Sequence, residues 1–419
     1  MPEISRENRT IFSYCHVADS HTLKTALDYG GYEGWKKARA LQPDEIIDIV
    51  KASGLRGRGG AGFPAGVKWS FMPKNPTPDK PNYLIVNADE GEPGTFKDRE
   101  ILAKVPHKLI EGILIACRAM RSTQCYIYLR GEFVKEYDIL KKALSEAMGA
   151  GLLRESGCKI IIHRGAGAYI CGEESALLDS LEGLRGHPRM RPPFPAQVGA
   201  FGMPTTVNNV ETIAAVGWIL QNGSDAYRQW GTEKSPGTKI FSISGHVKKP
   251  GNYECALGTT LRELIEIGGG MTDEAGFKAC FPGGTSCPLL GKDHLDTPFD
   301  YESLAAAGSM LGSGGLIIMN EKTDLIKVMA RVSNFYAHES CGKCTPCYQG
   351  TWWMARIFER IILGEGKPDD PQILLDISNN IIGNCFCPLG DAAAFPVKSL
   401  VERFIVEFEH YLAPEKIAV

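Results

Sequence analysis

Residues 83–99 read YLIVNADEGEPGTFKDR. Tyr83–Val86 has the length and apolar pattern of a short buried strand, and it runs straight into Asn87–Arg99, a loop dense in acids, Gly and Pro. A polar loop at the C-terminal end of a buried strand is where open α/β sheets bind ligands. Upstream, Pro43-Asp44 opens an amphipathic helix, with Ile46, Ile47, Ile49 and Val50 apolar, that Gly54 ends. Residues 1–40 are mixed in character. Downstream come a helix over His107–Met120, a strand over Cys125–Leu129, a helix over Lys135–Met148 and a strand over Lys159–His163. Strand and helix alternate in this way to about residue 235, which predicts an α/β layered domain.

The pattern then changes. Lys239–Ser244 and Asn252–Cys255, joined through Lys249-Pro250-Gly251, read as a hairpin. A helix over Thr259–Ile267 follows, capped by Thr259 or Thr260 and stopped by Gly268–Gly270. Phe277–Phe281 and Leu316–Met319 read as further strands. Hairpin, helix, then strands is the order of a ubiquitin-like β-grasp. From Asp324 four apolar-periodic segments, Asp324–His338, Tyr348–Leu363, Gln372–Ile382 and Ala392–Tyr411, predict a helical bundle. A chain of 419 residues, at roughly 150 per domain, accommodates three units: 1–235, 236–322 and 323–419.

Composition excludes several classes. The chain is 43% apolar and 23% charged, with a mean hydropathy of −0.13, which rules out disorder as the main organisation. Forty-six basic residues against 49 acidic ones are too balanced to favour nucleic acid as a partner. No apolar run reaches the ~18 residues of a membrane span, and the polar start lacks the apolar core of a signal peptide. A cytoplasmic location is the expectation, and with it thirteen cysteines kept reduced, so that some serve as metal or cluster ligands.

The sharpest local signal is Cys341-Gly-Lys-Cys344-Thr-Pro-Cys347. Three cysteines at this spacing wrap a corner of an iron–sulfur cubane, and a remote fourth closes it. Zinc takes four thiolates more often as two separated pairs; a non-catalytic zinc scaffold is the rival reading. Cys385 and Cys387, in GNCFCPLGD, both stand where a fourth ligand is needed, and spacing alone leaves the choice open.

Four polar or glycine-rich strings complete the picture. GRGGAGFPAGVKW (57–69) follows a helix instead of a strand, so it fails the context of a standard dinucleotide turn. It still offers bare amides at Gly57, Gly59 and Gly60 and cations at Arg58 and Lys68 for phosphate. Phe63, Trp69 and Phe71 add flat apolar surfaces. Asn87, Asp89, Glu90 and Glu92 are candidates for ribityl or ribose hydroxyls. GAGAYICGEES (165–175) follows a strand and opens a helix; small residues there let a ring lie on the backbone, while Glu173 and Glu174 also suit a helix N-terminus. Asn208-Asn209 precede a further helix, where N-capping is the plainer role. Loops of this kind beside a cluster have a chemical logic: a nicotinamide yields a hydride, a cluster takes one electron at a time, and a flavin does both.

Jointly, GRGGAGFPAGVKW, NADEGEPGTFKDR, GAGAYICGEESAL, NNVET and ESCGKCTPC…CPLGD resemble the flavoprotein (51 kDa-type) subunits of respiratory complex I, NADH:quinone oxidoreductase, over nearly the whole chain. The resemblance implies a Rossmann-like FMN domain, a β-grasp domain and a four-helix bundle with a [4Fe–4S] cluster. It implies FMN contacts from Gly57, Arg58, Gly59, Gly60, Lys68, Asn87, Asp89, Glu90, Gly91, Tyr169, Gly172, Glu173, Asn208, Asn209 and Thr212. NADH would meet Phe63, Phe71 and Phe194 with its adenine and Glu92 and Glu174 with its hydroxyls. Arg191 stands where the family commonly has Lys, and Gly91 where it often has Ser. The cluster ligands map to Cys341, Cys344, Cys347 and Cys387, leaving Cys385 over. No side-chain acid or base is implied, because nicotinamide C4 over flavin N5 needs only placement. Implied partners are a thioredoxin-like [2Fe–2S] subunit (24 kDa-type) and a large multi-cluster subunit (75 kDa-type), on the cytoplasmic side of the membrane. The diaphorase subunit of a soluble NAD-linked hydrogenase or formate dehydrogenase shares these motifs and is the alternative.

Overall fold

A computed structural model of the chain describes residues 9–412; residues 1–8 and 413–419, the outer ends of the first and third expected units, lie outside it. Helix α1 (Pro43–Ser53) begins with Pro at its first turn and ends at Gly54, whose φ of +70° closes the helix as only glycine does cheaply. Strand β1 (Asn82–Ala88) follows, and its continuous apolar run is explained by burial on both faces: Leu84, Ile85 and Val86 are fully buried. Next come α2 (Pro106–Ala119), β2 (Ser122–Leu129), α3 (Val134–Gly149), β3 (Lys159–Arg164), α4 (Glu174–Leu181), β4 (Thr205–Asn209) and α5 (Val210–Ala214).

The four strands pair in parallel in the order β3-β2-β1-β4. The chain therefore winds outward from β1 to β3, then returns to add β4 on the other side of β1. That reversal leaves a crevice beyond the C-terminal ends of β1 and β4, the ligand position of Rossmann-like sheets. Asn87, Asn208 and Asn209 stand at its lip.

Helix α2 is buried along almost its whole length, so its polar groups must find partners inside. Glu111 accepts a hydrogen bond from the Trp35 amide at 3.0 Å, and His107 Nδ1 lies 2.7 Å from Tyr32 Oη. Two helices, Leu23–Asp28 and Glu33–Ala40, supply this cover; the stretch read only as mixed in sequence because the apolar positions of residues 9–40 serve a neighbour, not a period.

A second sheet follows, with β5 (Thr238–Gly245) and β6 (Gly251–Ala256) as an antiparallel hairpin, α6 (Leu261–Ile267), β7 (Phe277–Phe281), β8 (Leu290–Gly291), α7 (Tyr301–Ala306) and β9 (Gly315–Asn320). Its order is β6-β5-β9-β7-β8, with β5 and β9 parallel, a β-grasp arrangement. Thr260 caps α6 and Glu263 reaches back to the cap, a reciprocal box.

Four helices close the fold: α8 (Leu325–Glu339), α9 (Thr345–Ile362), α10 (Asp370–Ile381) and α11 (Leu389–Arg403). The expected continuous helix Ala392–Tyr411 is broken. At Phe404 (φ −132°, ψ 35°) the chain leaves the helix, and short turns follow over Ile405–Phe408 and Glu409–Leu412. The break lets Phe408 fold back to stack on Phe358, with ring centroids 6.4 Å apart. It also brings Glu407 to Lys278 of β7 at 3.0 Å. Among the described residues no helix is long and apolar enough to cross a membrane.

Gly112 sets the spacing beneath the crevice. A Cβ there would sit 2.0 Å from the Ile213 carbonyl oxygen of α5, so Gly112→Ala must push apart α2 and the element that follows Asn208-Asn209. Denaturant unfolding is expected to show a loss of about 1–3 kcal/mol, the usual cost of overpacking.

Candidate functional site

A cavity of about 580 Å³ occupies the crevice. Three parts of the chain wall it. The α/β unit contributes Gly59, Gly60, Asn87, Asp89, Glu90, Gly91, Glu92, Tyr169, Gly172, Glu173 and Asn209; the β-grasp contributes Ser286, Tyr301 and Leu311–Ser313; and α11 contributes Leu389, Asp391 and Phe395 with the preceding Pro388. Sequence reading found the first group and missed the others. Their loops carry no charge pattern of their own, and only chain folding brings them to the first group.

The acidic loop sorts its side chains. Asp89 presents a carboxyl oxygen that is buried without a partner, and burial pushes its pKa up to about 7. Glu90 was a candidate for ligand hydroxyls, but its carboxylate is committed elsewhere. It accepts the amides of Asp98 at 2.7 Å and Arg99 at 3.1 Å, at the start of the helix Lys97–Lys104. Glu92 accepts hydrogen bonds from Tyr169 Oη at 2.7 Å and from the Ser286 amide at 2.9 Å. Gly91 packs against Tyr169: a Cβ there would meet the ring at 3.1 Å.

The glycine string covers the crevice from the N-terminal side. Its two ends are clasped by Gly57 N–H to Phe63 O (2.8 Å) and Ala65 N–H to Leu55 O (2.8 Å). Two of its expected ligand groups point elsewhere. The Arg58 guanidinium is buried, donating to Tyr227 Oη at 2.8 Å and to the Pro236 carbonyl at 3.2 Å, so it is a core cation and not a free phosphate clamp. Its amide donates to Thr212 Oγ1 at 2.8 Å. Trp69 is wholly buried, whereas Phe63 and Phe71 stay about half exposed, with centroids 6.2 Å apart. Only those two remain as surface for an incoming ring. Phe194 is also exposed.

Lys68 donates to Glu174 at 2.8 Å. Burial alone would raise Glu174, but Lys68 and Arg191 outweigh it and hold the carboxyl below its ordinary value. Glu173 is the N-cap of α4, accepting from the Ser175 and Ala176 amides at 2.9 Å each, and it also pairs with Arg191. Asn209 likewise caps α5 through the Glu211 amide. The plainer, capping roles of these two are therefore real, yet both residues also line the cavity. Asn208 keeps a buried amide nitrogen with no partner. Asn208 does not line the cavity; its side chain lies against buried Trp69, whose Nε1 donates to Asn208 Oδ1 at 3.4 Å. The unpaired Asp89 oxygen at the end of β1, in a cavity also walled by Gly59, Gly60, Gly91 and Gly172, fits a ligand that brings hydroxyls and a flat ring, as FMN does.

A second, smaller cavity is lined by Cys341, Cys344, Cys347 and Cys387. Cys344 is the N-cap of α9 and Cys347 lies in its first turn, so thiols face the positive end of that helix. Among the described residues no three Cys, His, Asp or Glu side chains converge closely enough for a single metal ion. The four thiols share one small cavity, and four cysteine thiolates are the donor set of an iron–sulfur cluster. Cys385 does not line that cavity, though it hydrogen-bonds to Cys347, which with Ser340 and Cys344 draws Cys347 down to about 7 against its burial. The loop 185–188 closes the outside, with Arg185 and His187 donating to the Cys341 carbonyl at 3.4 and 3.2 Å. Ile170 and Leu389 line both cavities.

Comparison with known proteins agrees with this anatomy. Residues 50–218 match the Nuo51 FMN-binding domain, 240–290 the SLBB domain and 327–411 the NADH-ubiquinone oxidoreductase-F iron-sulfur binding region. The zinc-scaffold alternative is thereby set aside. The NADH-quinone oxidoreductase F subunit of Streptomyces coelicolor is 52% identical over 400 residues, spanning 94% of this chain and 89% of its own. That of Rickettsia conorii is 50% identical over 420 residues, spanning 98% and 99%. Among solved structures, a chain of an NAD+-reducing [NiFe]-hydrogenase in the H2-reduced state superposes with a TM-score of 0.86 at 38% identity, covering 94% of this chain and 68% of that one.

Two outcomes test the site. Because folded Asp89 holds its proton to about pH 7 and the unfolded carboxyl only to its ordinary 3.8, the FMN-free chain loses stability as pH rises through that window. Asp89→Asn should raise the melting temperature at pH 8 and leave it unchanged near pH 4. Iron analysis of the purified chain should show Cys387→Ser stripped of its cluster and Cys385→Ser loaded as wild type.

Proposed function

The chain belongs to the family of NADH-quinone oxidoreductase F subunits, the flavoprotein subunits of complex I, and from that premise we propose that it is the NADH-oxidising, electron-input subunit of such an assembly. In this reading the backbone at Gly59, Gly60, Gly91 and Gly172, with Asn87, Asp89, Asn208 and Asn209, holds FMN, and Cys341, Cys344, Cys347 and Cys387 hold the [4Fe–4S] cluster. Bound there, the pair supplies the exchange of one hydride for two single electrons, which the nicotinamide alone cannot offer.

The residues themselves bind and orient. Glu92 and Glu174 receive the hydroxyls of NADH, and Phe63, Phe71 and Phe194 its adenine. No acid or base is assigned, since proximity and alignment supply the rate. One observation carries the reading: Ile170 and Leu389 wall both cavities, so a single layer of side chains lies between the flavin-type site and the thiols. The division into 1–235, 236–322 and 323–419 then corresponds to flavin binding, a β-grasp unit that walls the cavity, and cluster binding. Electrons leave to a thioredoxin-like [2Fe–2S] subunit and a large multi-cluster subunit, with the chain peripheral on the cytoplasmic side of the membrane. A place in a soluble hydrogenase-type complex is the second reading, supported by the 38% identical hydrogenase chain; relatives of 50–52% identity favour the first.

Reconstituted with FMN and iron–sulfide, the full chain should reduce ferricyanide with NADH. Cys344→Ser should keep the bleaching of flavin absorbance by NADH and lose onward transfer to the cluster. A preparation that takes up no FMN and shows no NADH:ferricyanide activity would overturn the assignment.

A further inference from the structure

The acidic loop is gripped from outside its own domain. Glu92 and Thr95, on either side of Pro93-Gly94, are both held by the β-grasp. The Ser286 amide donates to Glu92 Oε1 at 2.9 Å, and Ser313 Oγ hydrogen-bonds Thr95 Oγ1. The two β-grasp loops that make these contacts are locked to each other: Ser313 N–H donates to the Gly283 carbonyl at 3.1 Å and Ser313 Oγ to the same carbonyl at 2.9 Å. Gly284 is tied to β9 through the Gly315 carbonyl at 2.7 Å.

Glycine is required at each close approach. Gly284 has φ +102°, and a Cβ there would lie 2.3 Å from Glu92 Oε1 and 2.4 Å from its Cγ. Gly94 has φ +93°, and a Cβ there would lie 2.7 Å from Ile317 of β9. Gly315 would place a Cβ 2.5 Å from Thr95 Oγ1. The Glu92 side chain thus lies against bare β-grasp backbone, with Tyr169 holding its other oxygen.

We propose that the β-grasp edge, loops Gly283–Ser286 and Leu311–Ser313, is a positioning element for the nicotinamide-nucleotide site, setting the Glu92 carboxylate from outside the α/β unit that carries the other expected NADH residues. The inference rests on the NADH reading above and adds to it a task for the β-grasp unit. Such a unit could instead hold a soluble ligand of its own; here its loop edge is spent on Glu92 and Thr95. Losing a hydrogen bond between a carboxylate and a ligand hydroxyl weakens binding by roughly 10- to 100-fold, so the grip is measurable.

The test is a double-mutant cycle on the FMN- and cluster-loaded full chain, using Gly284→Ala, Glu92→Ala and the pair. Two readouts are taken: KM and kcat for NADH with ferricyanide, and the dissociation constant for NAD+ by calorimetry. Gly284→Ala should weaken NAD+ binding and raise the KM by roughly 10- to 100-fold, with kcat and FMN content nearly kept. In the Glu92→Ala background, where the added methyl has no carboxylate to displace, it should cause no further loss of NAD+ affinity. A purely structural role predicts loss of FMN and of melting temperature, with equal penalties in both backgrounds, and that result overturns the inference. Ser313→Ala only deletes a hydroxyl, and it answers the same question if Gly284→Ala does not fold: a several-fold loss of NAD+ affinity confined to the Glu92 background is expected, and equal losses refute it. Wild-type protein that binds no NAD+ would instead sink the NADH reading itself.

Discussion

Glu211 holds the three parts of the α/β site together. It is fully buried, two residues after Asn209, and receives Lys97 at 2.9 Å, Lys239 at 3.4 Å and the Ile240 amide at 2.8 Å. Burial pushes its carboxyl up, but Lys239, Lys97 and Arg58 more than offset that and keep it ionised. Lys239 in turn donates to the Arg58 carbonyl at 3.2 Å, and Lys97 pairs with Asp98 at 2.7 Å. One carboxylate therefore ties the end of β4, the acidic loop, the glycine string and the first strand of the β-grasp. Removing one member of such a buried set strands an unpaired charge, at a cost of about 3–5 kcal/mol. Lys239, drawn down by burial to about 7, is the member closest to giving up its charge.

That network explains why the crevice has a fixed shape. Loops at the ends of parallel strands are mobile by default, yet here each is anchored from behind. Tyr301 donates to the Gly57 carbonyl at 2.7 Å, and its ring lies under Gly62 and 4.0 Å from the Arg56 guanidinium. The β-grasp acts as a backplate to both the glycine string and the acidic loop, and α11 closes the remaining side with residues that directly follow Cys387.

Much of this was legible before folding. The strand Tyr83–Val86, the cap at Gly54, the capping threonine before Leu261 and the helix starting at Asp324 are local devices, and each acts through neighbours within four residues. The thiol spacing was equally local. Other features were not legible. Arg58 looks like a phosphate clamp until Tyr227 and Pro236, far along the chain, are seen to take its guanidinium. Glu90 looks like a ligand group until the amides of Asp98 and Arg99 fold back on it. Phe404 breaks an apolar-periodic run because Phe408 has a better place against Phe358.

The amino-acid string by itself determined most strands, helices and turns, though not the helices Leu23–Asp28 and Glu33–Ala40 or the break at Phe404, and it determined which residue types gather into glycine, carboxylate and thiol clusters, because periodicity, capping and short ligand spacings are short-range physics. Tertiary structure alone decided which of those charged groups face the cavity and which are consumed by it. A carboxylate or guanidinium is assigned its job by whichever buried donor or acceptor reaches it first, and those partners stand from 8 residues away, for Glu90, to 178, for Arg58.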